Sequence, residues 1–126
     1  MSAMQRQKGA RGERELAGLL GELLGLELTR NLVQAREGGA DLLGIRGWAV
    51  EVKRAAKPRL AEWWRQCCEQ AEAGERPALF YRLDRQPWRV VVALRHVATG
   101  FDHAPMELRL ETDLEVFAAL VRESLP

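Results

Sequence analysis

Asp41 and Glu51 stand ten residues apart, and Glu51 opens the triplet Glu51-Val52-Lys53. The stretch from Gly38 to Lys53 reads as two short strands, Asp41 to Ile45 and Trp48 to Lys53, joined by a tight turn at Arg46-Gly47. Alternate residues of a strand share a face, so Glu51 and Lys53 project together while Val52 faces the other way. A hairpin this short brings Asp41 alongside them. Two carboxylates and an ammonium group on one surface suit a divalent cation and a phosphate. Magnesium and manganese take oxygen ligands, commonly one or two carboxylates with water and the phosphate itself. The predicted ligands are Asp41, Glu51 and the carbonyl of Val52, with Lys53 orienting the attacking water or stabilising negative charge as it develops. Such a site would hydrolyse a phosphodiester bond.

By themselves these letters are weak, because alternating charge on a solvated strand gives the same string. The surrounding elements raise their value. Gly9 to Leu24 has a helical period, with Leu16, Leu19, Leu20, Leu23 and Leu24 on one stripe. Glu13 shares the side of Leu16 and Ala17. Two readings of Glu13 stand open: a first-turn acid complementing the helix dipole, or a third site carboxylate held over the sheet edge. Gly25 fits a helix stop, Leu26 to Val33 reads as a strand carrying Arg30, and residues 34–39 form a polar connection. A second helix is predicted from Arg59 to Ala73 after the Lys57-Pro58 boundary. Its Leu60, Trp63, Trp64, Cys67 and Ala71 form a core face, with Gln66 and Gln70 one turn apart at the flank. Strands follow at Ala78 to Leu83 and Trp88 to Leu94, with Tyr81 and Phe80 expected as core and flank. Residues 95–105 read as irregular or briefly helical, Met106 to Leu110 as a short strand, and Thr112-Asp113-Leu114-Glu115 as a capping box opening a last helix. The order predicts an α/β fold with a mixed β-sheet flanked by helices.

The chain of 126 residues is long enough for one domain with its own core. Its apolar fraction of 47% and charged fraction of 29% are ordinary for a globular protein. No apolar run resembles a signal peptide or approaches the ~20 residues of a membrane span. Cys67 and Cys68 are adjacent, so the expected setting is a reducing cytoplasm, without a structural zinc site and without a membrane partner. The net charge of +1 hides an asymmetry: residues 1–65 hold 12 basic against 8 acidic side chains, residues 66–126 hold 7 against 10. Lys8, Arg11, Arg14, Arg36, Lys57 and Arg59 are the predicted phosphate contacts, bordering the site and independent of base sequence. Arg82, Arg85 and Arg89 cluster at a strand turn, and His96 and His103 are expected at the surface or in packing roles.

Lys8-Gly9-x-x-Gly12-Glu13-x-Glu15-Leu16, then Asp41, then Glu51-Val52-Lys53, then a glutamine-bearing helix and a Pro77-led strand resemble the PD-(D/E)XK nuclease superfamily. Within it, the pattern is most similar to small Holliday junction resolvases of phage and archaeal type. The resemblance implies a restriction-endonuclease-like core, DNA cleavage and magnesium dependence, with manganese as a substitute. It also implies Glu13, Asp41 and Glu51 as metal ligands and Lys53 as catalytic lysine. Gln66 or Gln70 would be the helical glutamine of some branches, and Arg36 the basic residue before a small-residue turn. Ala40 replaces the proline of the superfamily's name, and Gly38-Gly39 stand where the resolvase branch often has serine. Branched DNA and a homodimer are expected, since a junction is cut symmetrically by two sites. Flaps, single-strand ends, duplex DNA, or a non-catalytic DNA-binding role are the alternatives. A prokaryotic or phage-infected cell is the source the resemblance implies.

Overall fold

The computed structural model describes residues 3–33 and 39–124. Helix α1 (Ala3–Leu24) is followed by strands β1 (Thr29–Arg30), β2 (Leu42–Leu43) and β3 (Trp48–Ala55). Helix α2 (Leu60–Gln70) leads to β4 (Arg76–Leu83) and β5 (Arg89–Ala93), then a single turn α3 (Leu94–Val97), β6 (Arg109–Thr112) and helix α4 (Leu114–Ser124). The six strands lie in chain order in one sheet. Only β3 and β4 pair in parallel, and α2 is the crossover that such a pair requires. The sheet is therefore mixed, as the order of elements predicts.

Strand alternation decides which side chains meet which helix. Trp48, Val50 and Val52 of β3 join Ala78, Phe80, Val90 and Val92 against Leu16 and Leu20 of α1 and Phe117 and Val121 of α4. On the opposite face, Leu79, Tyr81, Val91 and Ala93 pack under Trp63, Trp64 and Cys67 of α2. Both faces of the central strands are covered, which is why β4 and β5 read as nearly unbroken apolar runs. Phe117 stands edge-on between Trp48 and Phe80, with ring centroids 5.0 and 4.9 Å away. Each such side chain contributes ~1.5–3 kcal/mol by leaving water.

Several boundaries differ from the sequence expectation. α1 starts at Ala3 rather than Gly9, because the polar run before Gly9 is made of good helix formers. Its leucine stripe is narrower: Leu16 and Leu20 are fully buried, whereas Leu19 and Leu23 are 43% and 37% exposed on its shoulder. The helix ends as expected, with Gly25 at φ 66° and Leu26 N–H bonded to the Gly21 carbonyl at 3.0 Å. β1 and β2 shrink to two residues each, for a reason given below. α2 spans Leu60–Gln70 only, β4 starts earlier, at Arg76, and β6 lies at Arg109–Thr112 rather than 106–110. α4 is capped by Asp113, whose carboxylate accepts from Val116 N–H at 2.8 Å, while Thr112 belongs to β6. Tyr81 is buried as expected and donates its hydroxyl to Glu111 at 2.7 Å, whereas Phe80 is fully buried rather than flanking. Among the described residues no helix is long and apolar enough to cross a membrane.

Candidate active site

Leu42 of β2 faces Val50 of β3. Asp41 and Glu51, one residue beyond this pair on each strand, fall on the opposite face from Leu42 and Val50, close enough for the Asp41 charge to act on Glu51. β2 stops there because its neighbours turn to side chains. The Ala40 carbonyl accepts from Asn31 Nδ2 at 2.9 Å, and Asn31 N–H donates to the Asp41 carbonyl at 2.9 Å. Val52 N–H then finds its acceptor in the Asp41 carboxylate, Oδ2 at 2.6 Å, instead of in a strand carbonyl. Asp41 N–H donates to the Val50 carbonyl at 2.7 Å, which ties the residue to β3 from both ends. The carboxylate is pinned before any ligand arrives.

Asp41 and Glu51 are the buried charged residues among those described, 5% and 6% exposed. Burial pushes the Glu51 carboxyl up, to about 8, and the neighbouring Asp41 charge adds to the effect. Lys53 opposes the shift, its Nζ 3.6 Å from Glu51 Oε1. Glu51 Oε2 is buried with no hydrogen-bond partner. Two buried carboxyls share one ammonium, so Glu51 keeps its proton in the metal-free protein, and its unpartnered oxygen is an open ligand position once that proton leaves. The donors are hard oxygens of the kind magnesium and manganese prefer, so the residues fit a divalent metal. Cys67 packs close by from α2; burial pushes its thiol up, and the Glu51 charge adds to this, so it is a packing group and not a nucleophile.

One of the two sequence readings of Glu13 falls. It lies in the third turn of α1, whose first turn holds no acid, so the helix-dipole role is excluded. Its carboxylate accepts from Arg30 Nε at 3.0 Å, and burial and the nearby Asp41 charge push its pKa up despite that pairing. Among the described residues no three acidic, histidine or cysteine side chains converge as a metal site. Asp41 and Glu51 form the close pair, and Glu13, paired with Arg30, lies near enough to feel the Asp41 charge.

The two glutamines separate clearly. Gln70 Oε1 accepts from Gly39 N–H at 2.7 Å, fastening the end of α2 to the backbone two residues before Asp41. Gln66 is half-buried one turn earlier on α2. Arg36 lies outside the described residues. Arg11, Arg14, Lys57 and Arg59 are exposed, whereas Lys8 is engaged with Asp84 at 2.9 Å. Arg82 and Arg89 are occupied by Glu15 and Glu111, at 2.8 and 3.0 Å, and Arg85 stays exposed. His96 is half-buried, with Nδ1 lacking a partner, and His103 is exposed. Sequence reasoning missed the partnerships of Arg30, Asn31, Gln70 and Arg54. Only Arg54 left a local trace: Gly12 inside a helix, which signals a close approach.

A mixed sheet whose third strand carries Glu51 and Lys53 beside the buried Asp41 has a restriction-endonuclease-like fold. The chain is similar to Hjc of Archaeoglobus fulgidus, a Holliday junction resolvase, with a TM-score of 0.55 and 20% identity over 90% of this chain and 98% of that one. No curated protein matches it significantly. Residues 4–115 match the phage putative PDDEXK endonuclease family, and the chain belongs to that family. It is a nuclease of the PDDEXK type.

Proposed function

We propose that this protein is a magnesium-dependent DNA endonuclease acting on branched DNA as a homodimer, with manganese able to substitute. The observation that carries the reading is the buried Asp41–Glu51 pair, with Glu51 Oε2 unpartnered and Lys53 at 3.6 Å. Asp41, Glu51 and the Val52 carbonyl would hold the metal, with Glu13 as an outer acid. When bound, the cation supplies charge stabilisation for the phosphoryl oxygens and activation of water. The chain's own groups do the rest. Asp41, fixed by Val52 N–H, sets the position of the scissile phosphate. Glu51 gives up its proton as the site is loaded. Lys53 orients the incoming water and faces the charge that develops on the phosphorus oxygens. Gln70 holds Gly39, and through it the approach to Asp41. Lys8, Arg11, Arg14, Arg36, Lys57 and Arg59 supply backbone contacts.

The fold likeness to a junction resolvase supports branched DNA, and symmetric cutting of a junction supports two copies. Free Cys67 and Cys68 fit a reducing cytoplasm.

Synthetic junction, flap, duplex and single-stranded DNA, each with magnesium and with chelator, test the reading together. Cleavage is expected on the junction, with magnesium only. Asp41→Ala and Glu51→Ala are expected to lose cleavage by ~10³-fold or more while still binding DNA, and Glu13→Ala to lose less. Full activity in Glu51→Ala would sink the site assignment. Preference for flaps or single strands would move the substrate, and a sedimenting monomer on junction DNA would remove the dimer.

A further inference from the structure

Asp84 follows β4 at the carboxyl ends of the parallel pair, its N–H bonded to the Ala55 carbonyl at 3.1 Å. Two cations converge on one of its oxygens: Lys8 Nζ at 2.9 Å from Oδ1, and Arg54 Nη2 at 3.4 Å from the same atom. Neither cation is a loose surface charge. Arg54 is 16% exposed and runs beneath α1, where Gly12 makes room for it. A Cβ at position 12 would stand 2.6 Å from Arg54 Cγ. The glycine at this helix position costs helix propensity, and the passage of the arginine is what it permits.

The pairing with Asp84 satisfies Arg54 poorly. That bond is longer than the usual 2.7–3.2 Å range, and Arg54 Nε is buried without a partner. A guanidinium presents five N–H groups suited to bidentate acceptors. One carboxylate oxygen shared with a lysine uses little of that capacity, whereas a phosphodiester offers two free oxygens to the two cations at once. Asp84 stays ionised, because the Lys8 ammonium holds its carboxyl below the usual range. Exposed ion pairs of this kind add little to folding, so an incoming anion meets slight resistance.

Arg54 lies three residues beyond Glu51 on β3, so by alternation it stands on the α1 face of the sheet, the side opposite Glu51 and Lys53, and with Lys8 it makes a cationic pair apart from the scissile position. Exposed Lys57 and Arg59 continue from the same end of β3.

We propose that Lys8 and Arg54 form a DNA backbone phosphate site separate from the scissile position, and that Asp84 occupies it as a resident carboxylate which DNA displaces. The site rests on the reading of this chain as a DNA nuclease and adds to it a residue that weakens binding. Asp84 then acts as a brake. It keeps the two cations aligned in the free protein and competes with every phosphate that approaches, which favours DNA presenting several contacts at once.

Anisotropy titrations of the full chain with a labelled junction and a labelled duplex, in chelator and between 50 and 200 mM salt, test this. Asp84→Asn is expected to bind ~3–10-fold tighter, with the slope of log affinity against log salt steeper by about one. Lys8→Ala is expected to bind more weakly with a slope shallower by about one, and to remove part of the gain when combined with Asp84→Asn. Asp102→Asn is the charge control. It follows β5, which runs antiparallel to β4, and so lies at the opposite end of the sheet; it is expected to change affinity less than about twofold, the scale of a remote charge. Equal tightening by Asp102→Asn, or an unchanged slope in both Asp84→Asn and Lys8→Ala, overturns the site. Loss of binding in Asp84→Asn with a lowered melting temperature also overturns it, by making Asp84 a structural clamp. If the wild-type chain neither binds nor cuts DNA, the nuclease reading falls as well; if it does both and the variants are silent, only this site falls.

Discussion

Glu51→Gln unfolds at a higher temperature than the wild-type chain at pH 7 in chelator, and cuts no DNA. The sign follows from proton linkage. The Glu51 carboxyl has an ordinary value of 4.5 and is raised to about 8 by burial and by Asp41. Between those values the folded state binds more protons than the unfolded state, so stability falls as pH rises through the window. At pH 7 the fold therefore holds a protonated Glu51 that the unfolded chain would ionise. Glutamine removes this penalty, on the order of 1–3 kcal/mol, and raises the melting temperature by several degrees. Glu13, raised in the same direction, leaves a smaller slope of the same sign. The measurement is urea unfolding at pH 5 and pH 8 with chelator: the wild type weakens between the two, and Glu51→Gln weakens less. Magnesium should reverse the ranking, because only the carboxylate gains from the cation. A wild-type chain equally stable at both pH values, or a Glu51→Gln protein that melts lower in chelator, would show that Glu51 is already compensated.

Phe117→Ala lowers the unfolding free energy by about 3–5 kcal/mol, the range for deleting a buried aromatic side chain. Phe117 is fully buried and meets Trp48 and Phe80 edge-on, so its loss empties the contact between α4 and the sheet. The melting temperature should fall by roughly 10–20 °C, a large share of the stability of an ordinary domain. The site lies on the other face of β3, so cleavage per folded molecule at low temperature is expected to persist. Urea unfolding read by tryptophan fluorescence, beside a cleavage assay at 15 °C, separates the two effects. A loss below about 1 kcal/mol would mean that α4 is not a necessary wall of the core.

The triplet around Glu51 was legible because strand alternation is a local rule and the turn at Arg46-Gly47 is short. The two-sided core was less legible: with valine at 90, 91 and 92 the run marked a strand, but its two faces read alike. What the sequence hid are partnerships across long separations. Glu13 and Arg30 are 17 residues apart, Gly39 and Gln70 are 31, and Lys8 and Asp84 are 76. Each is a single polar contact, and no periodicity announces a single contact. The lengths of β1 and β2 were overread because Asn31 and Asp41 use side chains where a strand would use its backbone. The basic excess of the first half was plain, but composition could not show that Lys8 is already engaged. Family membership bears out the nuclease; the ligand set and the branched substrate remain matters for the assays above.

The bond from Val52 N–H to the Asp41 carboxylate links assembly of the sheet to the proposed site in one atom. A slip of one residue between β2 and β3 would turn Leu42 toward the acid face and bury Asp41 among leucines and valines. Such a chain would lose its acceptor for Val52 and its acid pair together. On the proposed site, a chain with that slip would be silent rather than active in the wrong place.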